Sequence, residues 1–299
     1  MAIPVTTTAD KTSPLVGLIG LGLIGGAVAE RLLMSGFRVV GFDIALEQRA
    51  RLIELGGTTV ESESEVVAAA DRVCLALPTD EIVSQVLSQV DSELRSGQMI
   101  VDLGTGDPRA AESLAAQLAA RGVRFIDATI SGSSAQVRRG EVLVMVGGAA
   151  EDFASSRDLF ESFARTIRHV GPSGSGARMK LVTNLVLGLN RAALAEGLAF
   201  AEAIGLDAAT VLSVLKDSMA YSRIMETKGP KMVSSDFTPE ARLSQHLKDV
   251  RLIREAAADA SVDLPLSAEH QAWLERAEAQ GLGPLDNSAL IEVLRRGGA

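Results

Sequence analysis

Three short segments of this chain bring together residue types that chemistry requires. The first is Gly20-Leu21-Gly22-Leu23-Ile24-Gly25, a G-x-G-x-x-G pattern directly after an apolar run at positions 15–19. The second is Asp127-Ala128-Thr129-Ile130-Ser131-Gly132-Ser133. The third is Gly174-Ser175-Gly176-Ala177-Arg178-Met179-Lys180, with Asn184 four residues on. In the first segment, Gly20 permits a tight turn, Gly22 lets the backbone approach a pyrophosphate, and Gly25 lets the next helix pack closely on the strand. That helix opens with Leu23 and Ile24, and its N-terminus offers unpaired N–H groups and a positive dipole end to phosphates. The run Arg38–Phe42 reads as the second strand and leaves Asp43 at its carboxyl end. A carboxylate there accepts hydrogen bonds from ribose hydroxyls and repels a 2′-phosphate, so NAD is expected over NADP. Arg49 is the nearest base, and it or Arg51 is the alternative partner for a phosphate. A bound nicotinamide needs a substrate anchor and a proton donor or acceptor. The second and third segments offer both.

The elements that must position these residues alternate through the first half. Strands are expected at Val16–Gly20, Arg38–Phe42, Thr58–Val60, Arg72–Leu77, Met99–Leu103, Val123–Ile126, Val142–Val146 and Ile167–Val170. Helical stretches are expected at Leu23–Ser35, Leu46–Leu55, Asp80–Val90, Pro108–Arg121 and Glu151–Phe163. This alternation predicts βαβ units, and so an α/β domain with a Rossmann-like, doubly wound, mostly parallel sheet over residues 14–173. The strands that end at Pro78-Thr79-Asp80 and Gly104-Thr105-Gly106 offer carboxyl ends, where ligands bind in such sheets. After the glycine-rich stretch 171–176 the pattern changes. Positions 177–204 lack proline, carry Leu181, Leu185, Leu189, Ala192 and Ala193 at helical spacing, and stop at Gly205. Helical patterns continue from there, which predicts an all-α domain over residues 174–299. Its small residues (Ala192, Ala193, Ala195, Gly197, Ala199 and Ala201) permit close helix contacts and suggest an oligomer interface, although core packing would also account for them.

Composition narrows the function class. The 299 residues suffice for two cores, and 47% apolar with 22% charged residues is ordinary for a globular chain. A net charge of −9 and 3% aromatic residues argue against a nucleic-acid partner. Anionic small substrates stay compatible, because a local basic pocket can coexist with an acidic surface. The lone Cys74 sits in the apolar run Val73–Leu77 and reads as a buried strand residue, so no disulfide framework exists; a cytoplasmic location is expected. The Thr-rich Met1–Ser13 has no long apolar stretch and reads as a frayed tail, and no apolar run is long enough for a membrane span. His169, His246 and His270 are isolated and expected to be structural, with no metal-ligand spacing. No G-x-S-x-G or H-E-x-x-H occurs.

Taken together, the three segments resemble the β-hydroxyacid dehydrogenase family, typified by 3-hydroxyisobutyrate dehydrogenase. That family carries G-L-G-x-M-G, D-A-P-V-S-G-G, G-x-G-x-x-x-K-x-x-x-N and a later K-D pair, here Lys248-Asp249. Leu264-Pro265-Leu266 and Asp286-Asn287-Ser288-Ala289-Leu290 match as well, so the resemblance covers nearly the whole chain in order. It implies a Rossmann-like domain and a helical domain that completes the active site and builds a homodimer or homotetramer. It also implies a hydride transfer between NAD and a small 3-hydroxy acid or its semialdehyde (EC 1.1.1.-). On the matching positions, Lys180 becomes the catalytic acid/base and Asn184, one turn on, its neighbour on the substrate. A lysine serves as a base at neutral pH only where burial and nearby positive charge weaken its hold on the proton. Ser131 and Gly132, with Ser133 beside them, match the substrate-carboxylate anchor. Thr105 matches a position near nicotinamide, with the helix cap before Pro108 as its bland alternative. Leu77 and Pro78 wall the cofactor, while Lys248 and Asp249 close over cofactor and substrate.

The departures bear on the substrate rather than the reaction. Ile24 replaces the family's Met. Thr129-Ile130 replaces Pro-Val, and Ser133 replaces the last Gly. Ala241 stands where many members place a substrate-contacting Phe, which would open the pocket or let Arg242 or Tyr221 reach into it. An imine reductase shares the scaffold but usually lacks the lysine. A non-catalytic NAD-sensing module is the alternative from a different class, and such proteins tend to lose that lysine or gain domains.

Overall fold

A computed structural model of the chain describes residues 13–295, so the expected tail lies, but for Ser13, outside the described residues. Eight strands form one sheet: β1 (Leu15–Ile19), β2 (Arg38–Phe42), β3 (Thr58–Thr59), β4 (Arg72–Leu75), β5 (Met99–Asp102), β6 (Arg124–Ser131), β7 (Val142–Gly147) and β8 (Ala164–Gly171). Seven helices alternate with them: α1 (Leu23–Met34), α2 (Leu46–Glu54), α3 (Glu63–Ala69), α4 (Asp80–Gln89), α5 (Pro108–Ala119), α6 (Ser134–Arg138) and α7 (Ala150–Glu161). The order β3-β2-β1-β4-β5-β6-β7-β8 is doubly wound, and every pairing is parallel except β6 with β7. Side chains of period two give the sheet its two faces. Val16, Leu18, Cys74, Met99, Val101, Ile126 and Ala128 enter one apolar cluster, while Ile19, Val73, Leu75, Ile100 and Phe125 enter the other. Strands buried on both faces explain why they read as short continuous apolar runs.

The largest difference from expectation is β6. Its first half pairs with β5 from Met99↔Arg124 to Asp102↔Asp127, and its second half pairs antiparallel with β7 from Asp127↔Gly147 to Ser131↔Leu143. Asp127–Ser131, expected as a loop, is therefore strand. The short helices α3 and α6 were not expected. Ser62 caps the first through the Glu65 N–H, and Ser133 caps the second in a reciprocal capping box with Gln136.

Helix α8 (Ser175–Ala203) starts in this first compact unit, which closes at Lys180, seven residues beyond the expected boundary at 173. The remainder of α8 belongs to a second, all-helical unit with α9 (Ala208–Asp217), α10 (Ile224–Thr227), α11 (Gly229–Ser234), α12 (Leu243–Asp259), α13 (Pro265–Ala279) and α14 (Ile291–Arg295). Leu243, Leu247 and Val250 of α12 cluster with Ala192, Leu274 and Leu290, while Leu194, Ala195 and Leu198 pack with Leu212, Met225 and Ile291. Ala192 and Ala195 are thus core residues of this unit. Of the expected apolar stripe, Leu181 and Ala192 are buried, Leu185 and Leu189 half-buried and Ala193 exposed, and Asn184, Gly188 and Arg191 are buried beside them. No helix among the described residues is long and apolar enough to cross a membrane.

Candidate functional site

The glycine turn has the geometry its sequence requires. Gly20 adopts φ +91°, and a Cβ there would lie 2.5 Å from the Ala76 carbonyl, so only glycine makes this turn. A Cβ on Gly25 would lie 2.0 Å from the Gly20 carbonyl; α1 packs against the turn itself as much as against the strand. Gly22 has open space around its Cβ position and caps α1 without any side-chain hydrogen bond. Free backbone, open space and a helix N-terminus fit a pyrophosphate. Both oxygens of Asp43 are held, by the Leu21 N–H at 2.7 Å and the Ala45 N–H at 2.8 Å, which fixes the carboxylate at the end of β2. Leu23 is exposed and Ile24 half-buried against the core. Leu77 is half-buried and Pro78 exposed beyond β4, and Thr79 caps α4. Thr105 does not cap α5; Asp107 does, through the Arg109 N–H.

The lysine is placed by a carboxylate that sequence reasoning left without a role. Asp127, buried in β6, accepts from the Gly174 N–H and the Ala177 N–H, each at 2.8 Å, and so ties the start of α8 to the sheet. Burial pushes its carboxyl up from the ordinary range, against those N–H groups, which pull it down. Thr129, where the family has Pro, adds a bond from its hydroxyl to the Gly176 carbonyl at 3.0 Å. One turn on, Lys180 is 8% exposed and its Nζ donates to the Ile130 carbonyl at 2.6 Å. That carbonyl immediately precedes Ser131, the last residue of β6, and Gly132. Gly132 has φ +150°, and a Cβ would lie 2.6 Å from the Val142 side chain. The hydroxyl of Ser133 accepts the Gln136 N–H as the α6 cap.

In the second unit, Asn184 is buried and its Nδ2 donates to Asp249 Oδ2 at 2.9 Å. Lys248 Nζ lies 3.7 Å from Asp249 Oδ1. Asp249 thus orients the Asn184 amide, with one N–H committed to the carboxylate. A fully buried acid, Asp286, secures the approach to α12: it binds Lys228 Nζ at 2.9 and 2.8 Å and accepts from Glu240, Ala241 and Ser288. Burial alone would raise its carboxyl, but Lys228 and these donors hold it below the ordinary range. Ala241 donates its N–H to the Asp286 carboxylate and accepts from the Asn287 N–H, Arg242 bridges to Asp286, and Tyr221 is about half exposed.

Arg191 was missed from sequence. It is 1% exposed, its Nε and Nη2 make no hydrogen bond, and burial lowers its guanidinium to about 10, opposed by Asp286 and Asp249. A lone Arg in an apolar helical run gives no sign of burial, because its partners lie far along the chain. His246 and His270 sit 5.2 Å apart around Gly188, and His169 stacks on Phe153 while contacting the Gly148 carbonyl. Burial raises the Cys74 thiol to about 12, which makes it unreactive. Among the described residues no group of three His, Cys, Asp or Glu is arranged to hold a metal.

A doubly wound sheet, an open glycine turn at the head of α1 and an acid at the end of β2 define a dinucleotide-binding domain. Comparison with known proteins narrows the class. Residues 15–171 match the NAD binding domain of 6-phosphogluconate dehydrogenase, and residues 174–294 match the NAD-binding domain of NADP-dependent 3-hydroxyisobutyrate dehydrogenase. The chain is 33% identical to 2-(hydroxymethyl)glutarate dehydrogenase of Eubacterium barkeri, over 93% of this chain and 94% of that protein. It is 31% identical to 2-hydroxy-3-oxopropionate reductase of Escherichia coli, over 93% and 96%. The solved 3-hydroxyisobutyrate dehydrogenase of Salmonella typhimurium superposes with a TM-score of 0.87 at 26% identity, covering 94% of this chain and 100% of that one. The chain belongs to the β-hydroxyacid dehydrogenase family.

Proposed function

We propose that this protein is an NAD-dependent dehydrogenase that acts on a small 3-hydroxy acid, 3-hydroxyisobutyrate-like, or on the corresponding semialdehyde. The observation that carries this reading is the buried Lys180, its Nζ 2.6 Å from the carbonyl next to Ser131-Gly132. The bound dinucleotide supplies the hydride acceptor or donor. Gly20, Gly22, Gly25, Leu23 and Ile24 hold its pyrophosphate end, Asp43 its adenosine ribose, and Leu77, Pro78, Thr105 and Lys248 line its path. The Ser131 hydroxyl and the Gly132 backbone grip the substrate carboxylate, beside Ser133. Lys180 takes the hydroxyl proton as the neutral amine in oxidation and returns it as the ammonium in reduction. Asn184, its amide fixed by Asp249, orients that hydroxyl. Positioning is the protein's main contribution to rate.

The relatives act on different hydroxy acids and semialdehydes by their names, so the substrate is to be found by trial. The test is a panel of C3–C6 hydroxy acids and semialdehydes with NAD(H) and NADP(H), followed by absorbance. Turnover of a 3-hydroxy acid with NAD supports the reading; tight NADH binding with no turnover across the panel contradicts it. A preference for NADP would refute the Asp43 argument alone. A homodimer or homotetramer in the cytoplasm completes the reading. The exposed Val182, Val186 and Phe200 of α8 support the oligomer, and sedimentation velocity checks it.

A further inference from the structure

The cation nearest the end of β2 is already partnered. Arg49 lies on α2 with its guanidinium over the Phe42 ring, 4.9 Å from the centroid. Its Nε donates to the Asp43 carbonyl at 2.8 Å, and its Nη1 donates to Glu61 Oε2 at 2.8 Å. The Arg49 side chain is 15% exposed and that of Glu61 84%, so the arginine is the sheltered member of the pair. Glu61 is itself positioned: its N–H points to Glu65 Oε2 at the first turn of α3, and neighbouring Ser62 caps that helix. The other nearby base, Arg51, pairs with Glu47 on the exposed side of α2.

We infer that Glu61 is a cofactor-specificity residue, which holds Arg49 against Phe42 and neutralises it so that a 2′-phosphorylated dinucleotide finds no cation beside Asp43. The inference rests on the reading that the enzyme uses NAD. Two carboxylates and one captured guanidinium leave a net negative charge where a 2′-phosphate would sit, whereas the ribose hydroxyls of NAD need only an acceptor. Arg49 is a flexible fork with five donors and suits a phosphate well once it is released. Its capture by a residue from a different βα unit makes the selectivity a property of tertiary structure. Position along the sequence leaves Arg49 as a phosphate candidate.

The experiment is fluorescence titration of wild type, Glu61→Ala, Arg49→Met and the double variant with NADH and with NADPH, which needs no knowledge of the substrate. Glu61→Ala is expected to tighten NADPH binding about fivefold, the size of the attraction between a released Arg49 guanidinium and a phosphate dianion across water, with NADH unchanged within about twofold. In the Arg49→Met background the same change should give less than half of that gain. An unchanged NADPH/NADH ratio in Glu61→Ala overturns the inference. So does an undiminished gain in the double variant, because the effect would then be charge removal without release of Arg49. A wild type that prefers NADPH refutes the NAD reading instead, and the ratio shift on mutation still reports on Glu61 separately.

Discussion

His270 makes a pH dependence that can be worked out from the structure. Its imidazole is 4% exposed, faces Arg191 of α8 and His246 of α12, and is lowered by burial and by Arg191 from 6.5 to about 3. Between those values the unfolded chain binds a proton that the native state refuses. The stability contributed by the neutral ring is therefore fully present above the unfolded value and lost as pH falls toward the folded one. An unfolded imidazole holds about 1.5 log units of proton binding at pH 5 and about 0.1 at pH 7; at ~1.36 kcal/mol per unit, the native state loses about 2 kcal/mol over that step. The perturbation is His270→Leu, close in volume and unable to titrate. Trp273, the sole tryptophan, lies on the same helix, so urea unfolding followed by its fluorescence reports on the helical unit. The wild type should lose about 2 kcal/mol more than the variant between pH 7 and pH 5. Equal losses would refute the reasoning, for they would mean that His270 titrates alike in both states.

Other predictions address the site. Asp127→Ala strands two buried N–H donors at the start of α8, and thermal unfolding should show a loss of about 2–4 kcal/mol together with lower activity. Gly132→Ala forces a Cβ toward Val142 at φ +150° and should cost about 1–3 kcal/mol, with a raised KM, in denaturation and steady-state assays. Asp249→Ala frees the Asn184 amide and should lower kcat/KM about 10–100-fold while the dissociation constant for NADH stays nearly constant. Ser131→Ala should raise KM for the acid about tenfold with a smaller effect on kcat; the reverse split would remove it from the carboxylate anchor.

Much of the fold was legible because strands buried on both faces leave short apolar runs, and the glycine turn leaves its own pattern. The ends of elements were less so. Asp127–Ser131 is strand because β7 pairs with it, and antiparallel partners twelve or more residues away leave no local mark. The Ser133–Gln136 capping box caps a helix of only five residues, too short to leave a helical periodicity that would set it apart from a loop. Lys180 and Asn184 stood out through the resemblance to the family motif, and their spacing adds that both lie on one face of α8. Asp127 and Arg191 were not, because the role of a buried charge is set by partners that only tertiary structure brings near. The Asn184–Asp249 bond likewise joins residues 65 positions apart.

The central claim is that Lys180 moves the hydroxyl proton beside the Ser131-Gly132 anchor. Lys180→Met keeps the aliphatic stem and removes the amino group that meets the Ile130 carbonyl. The direct measurement is single-turnover NADH formation from the best hydroxy acid of the panel, with NADH affinity and circular dichroism measured on the same sample. The account predicts a fall of about a thousandfold in rate with affinity and fold retained. Near wild-type turnover in a folded Lys180→Met protein would contradict it.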